Sequence, residues 1–190
     1  MPDGLKVIIA NSGDQAVKSI NARDVFNQRV ASYDIAEMLL RRVWPPAAGM
    51  KHLRDLMPEH MQLQPRDIYN AVMQLPELPT RDDLRRMLPP EEQKQLDRIF
   101  ETHAEIGRYD VRGATLYGIG ECMRSELFSS VLKEENFETV AAFMRASHNG
   151  DRLFQFEDTG KSRRFSVATD DATLAEMAHR NIPLSTQCGR

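Results

Sequence analysis

Eight of the ten prolines fall between positions 45 and 90, at Pro45, Pro46, Pro58, Pro65, Pro76, Pro79, Pro89 and Pro90. A proline ring fixes φ and removes the amide that an interior helical turn would donate. The middle of the chain is therefore restricted to short helices that fit between prolines. Pro65 suits a first helical turn before Ile68, Val72 and Leu75. Thr80-Arg81-Asp82-Asp83 reads as a helix start, with a Thr cap and acids in the first turn. Pro45-Pro46 must end whatever helix precedes them, near Trp44.

On either side of this region the apolar spacing is helical. After Asp24, the residues Phe26, Val30, Tyr33, Glu37 and Leu40 recur at helical intervals, reinforced by Ile35, Leu39 and Val43. Pro89-Pro90-Glu91-Glu92 opens a long stretch with Leu96, Ile99, Phe100, His103 and Ile106 on one face. A second stretch, about 111–132, places Leu116, Ile119, Met123, Leu127 and Val131 on one stripe. Gly107, Gly113, Gly118 and Gly120 interrupt the two, as a break or as points of close helix contact. Asn136 reads as the cap of a helix with Phe137, Val140, Ala141 and Met144 inward, ending at 147–150. Asp170 or Thr169 caps a last helix through Leu174 and Met177. Only residues 5–10, Leu-Lys-Val-Ile-Ile-Ala, read as a strand. Residues 153–167 read as a hairpin around Asp158-Thr159-Gly160-Lys161 or as an extended loop.

A net charge of −3 excludes a bulk basic footprint for nucleic acid. No apolar run reaches the ~20 residues that cross a bilayer, and Met1-Pro2-Asp3-Gly4 lacks the basic-then-apolar pattern of a leader. Cys122 and Cys188 make no disulfide framework, so a cytoplasmic protein is expected. Cys122 reads as a small core residue beside an apolar stripe.

Few motifs suggest chemistry. Asp158-Thr159-Gly160-Lys161-Ser162 ends like a phosphate loop, but Gln155 stands where its first glycine belongs, so a solvated turn is the better reading. His52, His60, His103, His148 and His179 share no metal-ligand spacing, so no metal site is expected. Ser147-His148 are adjacent and diverge on a helix, and no nucleophile elbow surrounds them. Arg29, Arg41, Arg42, Arg85, Arg86, Arg163 and Arg164 are interleaved with acids and read as solvated faces.

Three segments taken in order resemble galactokinases of the GHMP sugar-kinase superfamily. The first is Val7-Ile8-Ile9-Ala10-Asn11-Ser12-Gly13 followed by Phe26-Asn27-Gln28-Arg29, similar to that family's apolar strand, Asn-Ser pair and Tyr-Asn-x-Arg helix start. The second is Gly118-Ile119-Gly120-Glu121-Cys122-Met123-Arg124. The third is Asn136-Phe137-Glu138 with Phe143-Met144-Arg145-Ala146-Ser147-His148, similar to a Leu-Met-x-x-Ser-His helix ending. The likeness spans 5–151, and 154–190 reads as an insertion or divergent loop.

The resemblance implies an α+β fold: a mostly helical segment, 1–190, of a ferredoxin-like C-terminal domain with one N-terminal strand. It implies an ATP-dependent monosaccharide kinase acting at the anomeric hydroxyl. The family's phosphate-binding loop and catalytic Asp have no counterpart here, so ATP and Mg, and every catalytic residue, are expected in the earlier half of the intact enzyme. This segment alone is expected to be inactive. The family's sugar-contacting Tyr matches Phe26, which keeps a ring but lacks the hydroxyl. That substitution implies a sugar other than galactose, such as another hexose or a pentose. Arg29 is expected to be structural. An unpaired 5–10 edge would invite self-association. The alternative is a free-standing helical protein-interaction module without catalysis.

Overall fold

The computed structural model describes residues 6, 8–11, 13, 22–151, 154–156, 161–164 and 167–187. Helix α1, Ala22–Val43, stops two residues before Pro45, as the proline pair requires. A 3-10 turn at Pro45–Ala47 and another at Leu53–Leu56 lead into α2, Pro58–Met61, and α3, Pro65–Met73. Both α2 and α3 begin on their proline, where the missing amide costs nothing. Helix α4, Arg81–Met87, is capped by Thr80, whose hydroxyl accepts from the Asp83 amide while the Asp83 carboxylate accepts from the Thr80 amide. The Thr80 hydroxyl and amide, with Arg86 beside them, hold the Asp83 carboxyl down to about 2. Helix α5 is Pro90–Phe100.

Helix α6, Val111–Lys133, is the centre of the bundle. Its first half is buried nearly all round, with Val111, Ala114, Leu116, Ile119 and Met123 in the core. It packs against α1, against α7 (Phe137–Asp151), against α3 and against a last 3-10 turn at Leu184–Thr186. Helix α8, Asp171–His179, is capped by Asp170 and lies on α3. Buried residues from α1 (Ile35, Leu39, Leu40), α3 (Ile68, Val72), α5 (Leu96), α6 and α8 (Leu174) form one continuous apolar cluster.

The class differs from the α+β expectation. Residues 6 and 8–11 form no strand, and Ile8 and Ile9 are 86% and 93% exposed. An apolar β-branched run becomes a strand only when a second strand takes up its amides and carbonyls. The described residues present none to it, and Val7 lies outside them. Among the described residues the body is a helical bundle, without the ferredoxin-like sheet. Its extended pairing is one antiparallel ribbon in the 153–167 stretch, β1 (Phe154–Phe156) with β2 (Ser162–Arg164), registering Gln155 opposite Arg163. Residues 158–160 of the phosphate-loop-like stretch, and Cys188, lie outside the described residues.

Two helical readings also shift. The expected stripe through His103 and Ile106 is broken: α5 ends at Phe100 and 101–110 is a loop. Gly107 at φ 139 supplies a backbone angle that side chains rarely adopt. On α7 the inward residues are Val140 and Phe143, while Phe137 and Met144 face outward.

Candidate functional site

The start of α1 carries Phe26, whose ring is 62% exposed rather than packed in the core. The polar residues around it hold that end of the helix in place. Asp24 accepts from the Ala104 amide (3.1 Å), and Asn27 donates to the Thr102 carbonyl (2.7 Å). Gln28 donates to the Arg108 carbonyl (2.8 Å), and Arg29 to the Gly150 carbonyl at the end of α7 (3.2 Å). Phe26 is therefore a free aromatic ring on a fixed backbone. Arg29 ties this end of α1 to the end of α7.

The other two segments singled out by sequence meet beside α7. Ser147 Oγ donates to Glu121 Oε2 (3.0 Å), and the Tyr117 hydroxyl donates to the Ser147 carbonyl (3.3 Å). Glu121 also pairs with Arg124 one turn along α6. A groove of about 520 Å³ runs between α6 and α7 there, lined by Glu121, Arg124, Phe128, Phe143, Met144 and Ser147. Glu121, Arg124 and Ser147 in its lining are committed to each other. Arg124 also donates to the Ser185 (3.0 Å) and Gln187 (2.7 Å) carbonyls. Ser147 gives its proton to a carboxylate already paired with a guanidinium, so it is anchored rather than activated. His148, next to it, is exposed.

Among the described residues no group of three or more His, Cys, Asp or Glu could hold a metal ion. Cys122 is half-buried against the core, and burial pushes its thiol up, away from the reactive thiolate. No described helix is long and apolar enough to cross a membrane.

Two buried arginines that the sequence reading passed over organise the bundle. Arg112 donates to the Leu75, Thr169 and Met73 carbonyls (2.8, 2.9 and 2.8 Å) and pairs with Asp171 (2.8 Å). It joins the end of α3 to the start of α8 through α6. Arg124 performs the same task for the 185–187 segment. The available signal was position: each cation interrupts a run of small and apolar residues, Val111-Arg112-Gly113-Ala114 and Cys122-Met123-Arg124. A charge there is buried only when fully paired.

No family model, no curated protein and no solved structure matches this chain.

Proposed function

We propose that this chain is a helical segment of a galactokinase-like sugar kinase of the GHMP superfamily, and that its start of α1, at Phe26, forms one wall of the monosaccharide site. The observation that supports this reading is spatial. Ser147 of the third segment bonds to Glu121 of the second, and Arg29 of the first bonds to Gly150, at the end of the helix that carries the third. The intact enzyme would transfer a phosphoryl group from ATP to a sugar hydroxyl, at the anomeric position, in the cytoplasm. An exposed aromatic ring held on a fixed helix end suits stacking against the apolar face of a sugar. Phe26 offers no hydroxyl to the substrate, so selection of a sugar other than galactose is expected.

The described residues hold no cluster fitted to Mg, and no phosphate-binding loop of the family's kind occurs in the 190 residues. In this reading MgATP and the catalytic groups belong to the rest of the kinase, and these residues alone are inactive. The test is ADP release by the full product of the encoding reading frame, with MgATP and a panel of galactose, arabinose, glucuronate and other monosaccharides. Release with one sugar supports the kinase. No release with any of them, from folded protein that binds ATP, removes the sugar-kinase reading.

One observation favours the second reading, a helical interaction module. Leu127, Phe137 and Met144 are apolar and exposed on α6 and α7. Exposed Ile8 and Ile9 likewise suit self-association through 5–10. Sedimentation over a range of concentrations tests the self-association: a concentration-independent monomer rules that out.

A further inference from the structure

The 101–110 loop lies between the start of α1 and the start of α4, and one buried histidine connects the two attachments. His103 Nε2 is 2.9 Å from the Tyr109 hydroxyl, and its Nδ1 is 2.9 Å from Thr102 Oγ1. The protons in this network can be placed. Thr102 spends its only hydroxyl hydrogen on the Ile99 carbonyl (2.7 Å), so it must accept from His103, and Nδ1 carries the proton. Nε2 is then the acceptor for Tyr109. The Tyr109 oxygen in turn accepts from Arg81 Nε (3.0 Å). Arg81 also donates to the Phe100 and His103 carbonyls (3.1 and 2.8 Å). Every hydrogen has an acceptor only while His103 is neutral.

A second proton on His103 reverses the sense of the Nε2 contact. Nε2–H would then point at the Tyr109 oxygen, which already faces Arg81. The Tyr109 hydrogen would have to leave its acceptor inside a fully buried site. Two cations would share one hydroxyl. The charges facing His103 are Arg81 from α4, which opposes imidazolium, and Asp24 from α1, which favours it. From the loop itself come Tyr109 and, beside it, Glu105. Burial first, and Arg81 second, hold the His103 pKa below its ordinary 6.5.

The same loop holds α1. Thr102, Ala104 and Arg108 give the backbone groups that bind Asn27, Asp24 and Gln28, on either side of Phe26. We propose that His103 is an acid-released latch: neutral, it locks the 101–110 loop onto the start of α1; protonated, it frees both. The latch acts on α1 whatever Phe26 binds.

Opening takes up a proton. The open fraction therefore rises as pH falls below 6.5, by up to roughly tenfold at pH 5.5 relative to pH 7.5. Amide hydrogen exchange on this chain, corrected for intrinsic rates, reads the effect. The expected result is a loss of protection of several-fold, up to about tenfold, confined to 22–30 and 101–110, with 114–123 of α6 unchanged. The His103→Gln variant, which cannot take the proton, should show no such pH dependence. Should that variant fail to fold, the wild-type imidazole titration followed by NMR decides: its midpoint must lie below 6.5, and the loss of protection must begin near 6.5 and level off at that midpoint. Protection that stays constant, falls evenly through the chain, or falls equally in His103→Gln would overturn the latch. So would a His103 midpoint at or above 6.5, or a loss of protection that keeps growing below that midpoint.

Discussion

Tyr69 is fully buried on α3, and its hydroxyl finds no hydrogen-bond partner among the described residues. Burial raises its pKa, so the phenol stays neutral. A buried donor left without an acceptor costs more than its removal. Tyr69→Phe is therefore expected to leave stability unchanged or raise it by up to about 1 kcal/mol, measured by urea unfolding. Glu135 is a second local misfit. It sits just past α6 at φ 57, the left-handed position of a Schellman ending, with Asn136 N bonded to the Val131 carbonyl and Glu135 N to the Leu132 carbonyl. Glycine adopts that angle without the Cβ penalty, so Glu135→Gly should stabilise the protein by about 0.5–1 kcal/mol in the same assay. At the end of α8 the same left-handed place is held by Asn181, a residue suited to it, whose Oδ1 also accepts from the Arg66 amide (3.0 Å) at the start of α3.

Helix ends were readable because they depend on a few neighbouring atoms. The proline pair ends α1, Thr80, Asn136 and Asp170 accept amides in the following turns, and α3 starts on Pro65. Helix faces were less readable. Periodicity marks an apolar stripe but does not say which part a neighbour covers. Phe137, Met144 and Leu127 thus face solvent. Gly118 and Gly120 of α6 prove to be contact points. A Cβ on Gly120 would stand 2.9 Å from the Leu184 carbonyl oxygen and 3.2 Å from that of Gln187. That backbone is held by Arg124, so it cannot yield without losing those bonds. Gly120→Ala should cost about 2 kcal/mol, seen as a lower urea midpoint. Gly49→Ala is the control, since nothing lies within 4 Å of its Cβ.

At the scale of the molecule, the helical core was legible and the fold class was not. A strand is a property of two segments, and reading Ile8 and Ile9 as one assumed a partner that the described residues do not provide. Buried arginines escaped for a related reason. The carbonyls that satisfy Arg112 come from Met73, Leu75 and Thr169, distant in sequence and brought together only by packing. Of the candidate site, Phe26 came from resemblance, and its exposure could not have been read from spacing, because α1's stripe placed it with the core. What the fold adds is the attachment of its helix end to 102–108 and to Gly150. The most direct measurement is steady-state kinetics of the full reading-frame product carrying Phe26→Ala, with the sugar that the panel identifies. The account predicts a KM for that sugar raised about tenfold, as loss of one stacked ring of about 1.4 kcal/mol requires. The KM for ATP and the melting temperature should be unchanged. An unaltered sugar KM in the Phe26→Ala enzyme, or an enzyme that releases no ADP with any sugar, would contradict it.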